Sequence, residues 1–168
     1  MYQYSAAHGL RRLPTGGIGI PNSICFSRDG RTLYWCDTPT GTILQAEYDP
    51  EAALVGAPRP VVAAGAASGS PDGSCMDAEG RIWNARWGGA RVVRFDADGS
   101  VEREIHLPVP QPSCCAIGGP RLDTLYVITS PEGLDAGALA RAPSSGGLYA
   151  LRLERTLGIP ESRVELPA

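Results

Sequence analysis

The sequence contains no lysine: all 15 of its basic residues are arginine, set against 18 Asp plus Glu and two His. Without lysine, Schiff-base chemistry, Walker-type phosphate loops and lysine-assisted nucleophiles are excluded together. The net charge of −3 gives no electrostatic reason to expect nucleic acid or an anionic membrane as partner. Long hydrophobic runs are missing as well, since nothing approaches the ~20 consecutive apolar residues of a membrane span. The opening Met1-Tyr2-Gln3-Tyr4 has no basic segment followed by an apolar core, so no secretory signal is expected and the location reads as cytoplasmic. His8 and His106 have no partner at metal spacing, and Ser5 and Ser27 lack a nucleophile-elbow context. Five cysteines, Cys25, Cys36, Cys75, Cys114 and Cys115, form no even framework and no C-x-x-C pair. That pattern argues against disulfides and a cysteine-zinc knuckle, and it casts most of them as small buried apolar residues.

No segment sustains a 3.6-residue apolar period, and short β-branched and aromatic runs punctuated by Gly, Asp and Pro take its place, so the chain reads as all-β. The runs recur in a fixed order. Ser23-Ile24-Cys25-Phe26, the turn Arg28-Asp29-Gly30-Arg31, Thr32-Leu33-Tyr34-Trp35, Thr42 to Tyr48 and Val61-Val62 form a first copy. Gly73-Ser74-Cys75-Met76, the turn Ala78-Glu79-Gly80, Arg81-Ile82-Trp83, Arg91 to Phe95 and Val101 to Leu107 form a second. The third comprises Ser113 to Ala116, Thr124 to Val127, Gly147 to Leu151 and Arg163 to Leu166, interrupted by a Gly/Ala/Pro-rich insertion at Ser130 to Ser145 that reads as a surface loop. Tyr2-Gln3-Tyr4 and Leu10 to Leu13 match the last two strands of a preceding copy.

A period of roughly 40 to 50 residues built from four antiparallel strands is the signature of a β-propeller blade. The boundaries fall at residues 1–16 for the end of one blade, then 17–66, 67–108 and 109–168 for three more. About three and a half blades fall short of the roughly four to eight that close a propeller, so the chain is expected to be part of a larger one. The open blade edges could also pair with a second copy of the chain.

The first strand of each blade lines the central channel, so residues at its mouth converge on one axis. Alignment of the copies on their cysteines sets Asn22 opposite Asp72, with Pro112 at the third position. An amide carbonyl and a carboxylate are hard donors, suited to one divalent cation such as Ca²⁺, Mg²⁺ or Mn²⁺, and tolerable for Zn²⁺. Trp87, beside Gly88-Gly89, can stack on a sugar ring, and Asn84 on the same strand is a second substrate-binding candidate. Asp37 is expected to accept turn N–H groups and serve structure alone.

The stretch Ile20-Pro21-Asn22-Ser23-Ile24-Cys25-Phe26-Ser27-Arg28-Asp29-Gly30-Arg31-Thr32-Leu33-Tyr34 resembles the IPNGLAFSPDGRTLY motif of the SMP-30/gluconolactonase/regucalcin-like family. Gly69 to Ser74 resembles its G-x-PDG motif, and Ile82 to Val92 its LWVAxWGGxRV motif. The resemblance continues through Leu107 to Gly119 and Gly146 to Tyr149 and covers essentially the whole chain. It implies a six-bladed propeller of about twice this length that binds one divalent cation and hydrolyses sugar lactones. The implied metal ligands present here are Asn22 and Asp72, with Asp72 also the general base; the family's N-terminal Glu ligand has no counterpart after Met1. Ser23 stands where the family commonly has Gly. Two functions are thereby set against each other: metal-dependent sugar lactone hydrolysis impaired by the missing ligand, and non-catalytic binding of Ca²⁺ or a partner chain.

Overall fold

The structure, a computed structural model, describes residues 1–162. It is built from antiparallel sheets whose strands follow one another in chain order. A hairpin of β1 (Tyr2–Ser5) and β2 (Gly9–Arg12) comes first. The first sheet runs through β3 (Pro21–Phe26), β4 (Thr32–Asp37) and β5 (Ile43–Asp49), with β6 (Leu54–Val55) and β7 (Arg59–Val62) both paired to β5. The second consists of β8 (Ser70–Met76), β9 (Ile82–Trp87), β10 (Arg91–Phe95) and β11 (Val101–His106). The third contains β12 (Pro112–Gly118), β13 (Thr124–Thr129) and β14 (Leu148–Arg152). The strand expected at Arg163 to Leu166 lies outside the described residues.

Tight turns are where the repeat is most legible. In Arg28-Asp29-Gly30-Arg31 and Asp77-Ala78-Glu79-Gly80-Arg81 the glycine sits at φ 69° and 77°, a left-handed conformation that costs a side-chain-bearing residue steric energy. The insertion departs from a plain loop. Its Leu-Asp-Ala-Gly-Ala-Leu-Ala-Arg run folds into a short helix, α1 (Ala136–Arg141), because Asp135 accepts the Ala138 N–H at 2.7 Å as N-cap and Ala and Leu favour the helix. No helix among the described residues is long and apolar enough to cross a membrane.

The sheets stack face to face, which explains strands that are apolar at successive positions. On the second sheet Ile82, Val93 and Phe95 point to the first sheet, joining Cys36, Ile43, Val61 and Val62. Trp83 and Val92, their neighbours in sequence, point the other way and join Cys115, Ile117, Leu125 and Val127 of the third sheet. Strand side chains alternate between faces, so burial on both faces removes the usual apolar-polar alternation. Leu13, Leu33, Trp35 and Tyr48 close the outer face of the first sheet against the chain entering it. Two cysteines, Cys36 and Cys115, are buried and the other three half-buried, all as free thiols. Burial, with a smaller push from Cys75, raises the Cys25 thiol to about 12.

At the centre of this stack one buried carboxylate is fully paired. Asp77 is fully buried, and its Oδ2 accepts from the Trp83 indole at 2.9 Å and from Arg94 Nε at 2.8 Å. Its Oδ1 accepts the backbone N–H groups of Glu79 and Arg81, and the Arg94 guanidinium lies 5.5 Å from the Trp83 ring centre. One carboxylate therefore holds the β8–β9 turn, the β9 tryptophan and the β10 arginine together. Arg94 also pairs with Glu79 at 2.8 Å and with Glu102 at 3.3 Å, so loss of Asp77 leaves its charge compensated in part. The same loss strips the partners from the Trp83 indole and two turn N–H groups, each buried donor costing about 1–3 kcal/mol. Asp77→Ala is expected to lower the unfolding free energy by that order in urea denaturation; a loss below about 1 kcal/mol would contradict this role.

Candidate active site

The innermost strands of the three sheets, β3, β8 and β12, lie side by side. Each carries a register shift at its start: between Asn22 and Cys25, between Pro71 and Ser74, and between Pro112 and Cys114. A bulge in this position bends the strand and re-aims the side chains beside it. In the first strand the irregularity falls on Ser23, a buried non-glycine residue at φ 54°. Its hydroxyl donates to the Asp72 carbonyl at 2.7 Å, a bond that glycine could not make.

Several contacts fix how these strands meet. Thr38, just after β4, donates from its hydroxyl to the Pro71 carbonyl at 3.0 Å and accepts from Asn22 Nδ2 at 2.9 Å. Asp37 accepts the Gly19 and Ile20 N–H groups at 3.1 and 2.8 Å, which lower its carboxyl pKa and pin the segment entering β3. Asp37 is thus structural, as expected, although the N–H groups it holds belong to the preceding segment. Beneath the strands, the fully buried Asn84 donates from Nδ2 to Ser23 Oγ at 3.1 Å, to the Asp72 carbonyl at 3.0 Å and to Ser74 Oγ at 3.0 Å. Its Oδ1 accepts from Arg86 Nη1 at 3.1 Å, and Arg86 Nη2 reaches the Ala67 and Gly69 carbonyls at 2.9 and 2.6 Å.

Above this network opens a cleft of about 520 Å³ lined by Asn22, Thr38, Asp72, Trp87, Gln111 and Glu132, with Ile20 and Gly133 at its margin. Three of the four residues singled out from the sequence, Asn22, Asp72 and Trp87, meet there. Asn84 is not among the lining residues, because it is buried beneath the strands with its amide spent on Ser23 and the Asp72 carbonyl. Gln111, immediately before the third innermost strand, joins the lining, and Pro112, the position read from the sequence, is buried instead. Alignment on Cys114 rather than Cys115 exposes the repeat, since Pro110-Gln111 then follows Pro21-Asn22 and Pro71-Asp72. Glu132 arrives from the insertion, where no periodic signal marked it. Arg86 was equally unmarked.

Partial burial pushes the Asp72 carboxyl up to about 6, and the Gly73 N–H opposes the shift. Among the described residues no arginine forms an ion pair with Asp72. A desolvated carboxylate without a cation beside it, an Asn22 amide whose nitrogen is already committed, and a Gln111 Oε1 that is buried and unpaired all leave oxygen without a protein partner. Such a donor set fits a hard divalent cation in kind. In number it is incomplete: among the described residues no three His, Cys, Asp or Glu side chains form a metal-holding group.

The profile of the SMP-30/Gluconolactonase/LRE-like region matches residues 1–131. The chain belongs to this family. It is 39% identical over 148 residues to the L-arabinolactonase of Azospirillum brasilense, covering 88% of this chain and 48% of that protein. To the pentonolactonase XacC of Haloferax volcanii it is 36% identical over 154 residues, covering 89% and 53%. Among solved structures, the calcium-binding protein regucalcin from Agrobacterium tumefaciens aligns with a TM-score of 0.81 at 37% identity, covering 89% of this chain and 50% of that one. The SMP-30/gluconolactonase-type chain thus spans about half the length of the curated relatives it matches, and its stacked antiparallel sheets follow the regucalcin architecture.

The approach of β8 to β12 supports the site mechanically. A Cβ built on Gly73 would stand 2.8 Å from the Cys114 Cα, where neither backbone can yield cheaply. Gly73→Ala is expected to cost about 1–3 kcal/mol in chemical denaturation, through overpacking alone. Unchanged stability would show that the two strands are free to part.

Proposed function

We propose that the cleft is this chain's share of a sugar-lactone hydrolase site, with Asn22 and Asp72 as ligands for one divalent cation and Asp72 as general base. The observation that carries the reading is the convergence of Asn22, Asp72 and Trp87 on one cleft from strands of two different sheets. A cation bound there would supply polarisation of the lactone carbonyl and a lowered pKa for its bound water. The chain's residues do the rest. Asn22, its nitrogen donating to Thr38, offers Oδ1 as a neutral oxygen donor. Asp72 offers negative charge and accepts a proton at its carboxylate. Trp87 gives the C–H face of the sugar ring an apolar surface. Asn84 acts through the backbone of Asp72 and the hydroxyl of Ser23, as a positioning residue rather than a substrate contact.

The names of the relatives, L-arabinolactonase and pentonolactonase, support an aldonolactone as the substrate class. We read the hairpin and the three sheets as about three and a half blades of a six-bladed propeller, so that the remaining cation ligands come from beyond this chain. Two protein donors cannot replace the hydration shell of a divalent ion, and the 168-residue chain alone is therefore expected to turn over lactone at or near the background rate.

Calorimetric titration of Ca²⁺, Mg²⁺, Mn²⁺ and Zn²⁺ tests the assignment. The expected result is weak, saturable binding of at least one of these ions that Asp72→Ala weakens by tenfold or more, in keeping with a lost charged ligand. Saturable binding that survives Asp72→Ala unchanged would contradict it.

A further inference from the structure

Gln111 completes a series. It is the third polar residue that follows a proline at the head of an innermost strand, after Pro21-Asn22 and Pro71-Asp72, and all three line one cleft. Its backbone is fixed, because its carbonyl accepts the Ser130 N–H at 2.9 Å. Its side chain differs from that of Asn22, which donates to Thr38. The Gln111 Oε1 is closed off from solvent and, among the described residues, has no hydrogen-bond partner. A buried unpaired amide oxygen destabilises the folded state, and no contact among the described residues accounts for it. The carboxamide offers both a donor and an acceptor, and the terminal torsion of Gln is broad and roughly two-fold, so either end can turn toward a ligand at small cost. The group suited to such an amide is one that both donates and accepts, a hydroxyl.

We infer that Gln111 is a specificity-determining residue of the lactone site, its carboxamide hydrogen-bonding a ring hydroxyl of the sugar. This rests on the lactone-hydrolase reading of the cleft. A site that presents an otherwise unpaired amide discriminates against the analogue lacking the hydroxyl, because the amide then stays unsatisfied.

The test uses D-gluconolactam, a lactam isostere that resists hydrolysis, and δ-valerolactam, which has the ring without hydroxyls, both titrated by ligand-observed NMR. The wild-type chain binds the gluconolactam more tightly than the valerolactam. Gln111→Met keeps the side chain's length and removes the amide. It weakens gluconolactam binding about tenfold, the effect of one lost hydrogen bond, and leaves valerolactam binding unchanged. Its thermal midpoint stays level or rises, since the unpaired oxygen is gone. Equal gluconolactam affinity in both proteins overturns the inference and leaves the lactone-hydrolase reading standing. A lowered thermal midpoint with unchanged affinity likewise overturns it and assigns Gln111 to the fold. Failure of the wild-type chain to bind either lactam overturns both.

Discussion

The Asn84 amide sets the geometry on which the cleft depends. From one fully buried nitrogen it reaches Ser23 on β3 and the carbonyl of Asp72 on β8, while Ser23 itself donates to that same carbonyl. Two sheets that share no backbone ladder are thereby held in one register at the point where Asn22 and Asp72 emerge. Arg86 extends the support by holding Asn84 Oδ1 and the carbonyls of the segment that leads into Pro71. Hydrogen bonds of this kind are individually modest, yet each becomes costly once its partner is removed from a buried position.

Stability and function draw on different layers of the same strands. Apolar side chains between the sheets supply the packing, with Trp83 and Val92 on one face and Ile82 and Val93 on the other. At the strand starts the ladders give way to bulges, and polar groups are left without protein partners. Burial pushes the Asp72 carboxyl well above an ordinary aspartate, and among the described residues Gln111 Oε1 has no hydrogen bond. Local conflicts of this type, set in a fold otherwise consistent with its sequence, are what functional or strained sites produce.

Much of this was legible before any coordinates, for reasons that differ from residue to residue. The repeat was visible because the strands recur in one order and the first two copies reuse the same tight turn, whose Asp-Gly or Glu-Gly pair reflects a backbone requirement. Asn22 and Asp72 could be matched because both follow a proline and precede a cysteine by three positions. Gln111 obeys the same rule, but the adjacent Cys114 and Cys115 offer two registers, and the one chosen pointed to Pro112. Asn84 stood out as a polar residue between tryptophans, yet sequence does not distinguish an amide facing a cleft from one buried under it. Glu132 and α1 sit in an insertion without periodicity, which read as a surface loop alone.

The central claim is that the cleft where β3, β8 and β12 begin is the place at which a divalent cation and a sugar lactone meet this chain. Paramagnetic Mn²⁺ added to the ¹⁵N-labelled protein addresses it directly, because resonances near the ion broaden selectively. The account predicts that the amide signals of Asn22, Asp72 and Gln111 and the Trp87 indole broaden first, while the Trp83 indole, enclosed beside Asp77, stays sharp for longer. Broadening centred on the exposed acidic turn at Asp96 and Asp98, with the cleft unaffected, would contradict it.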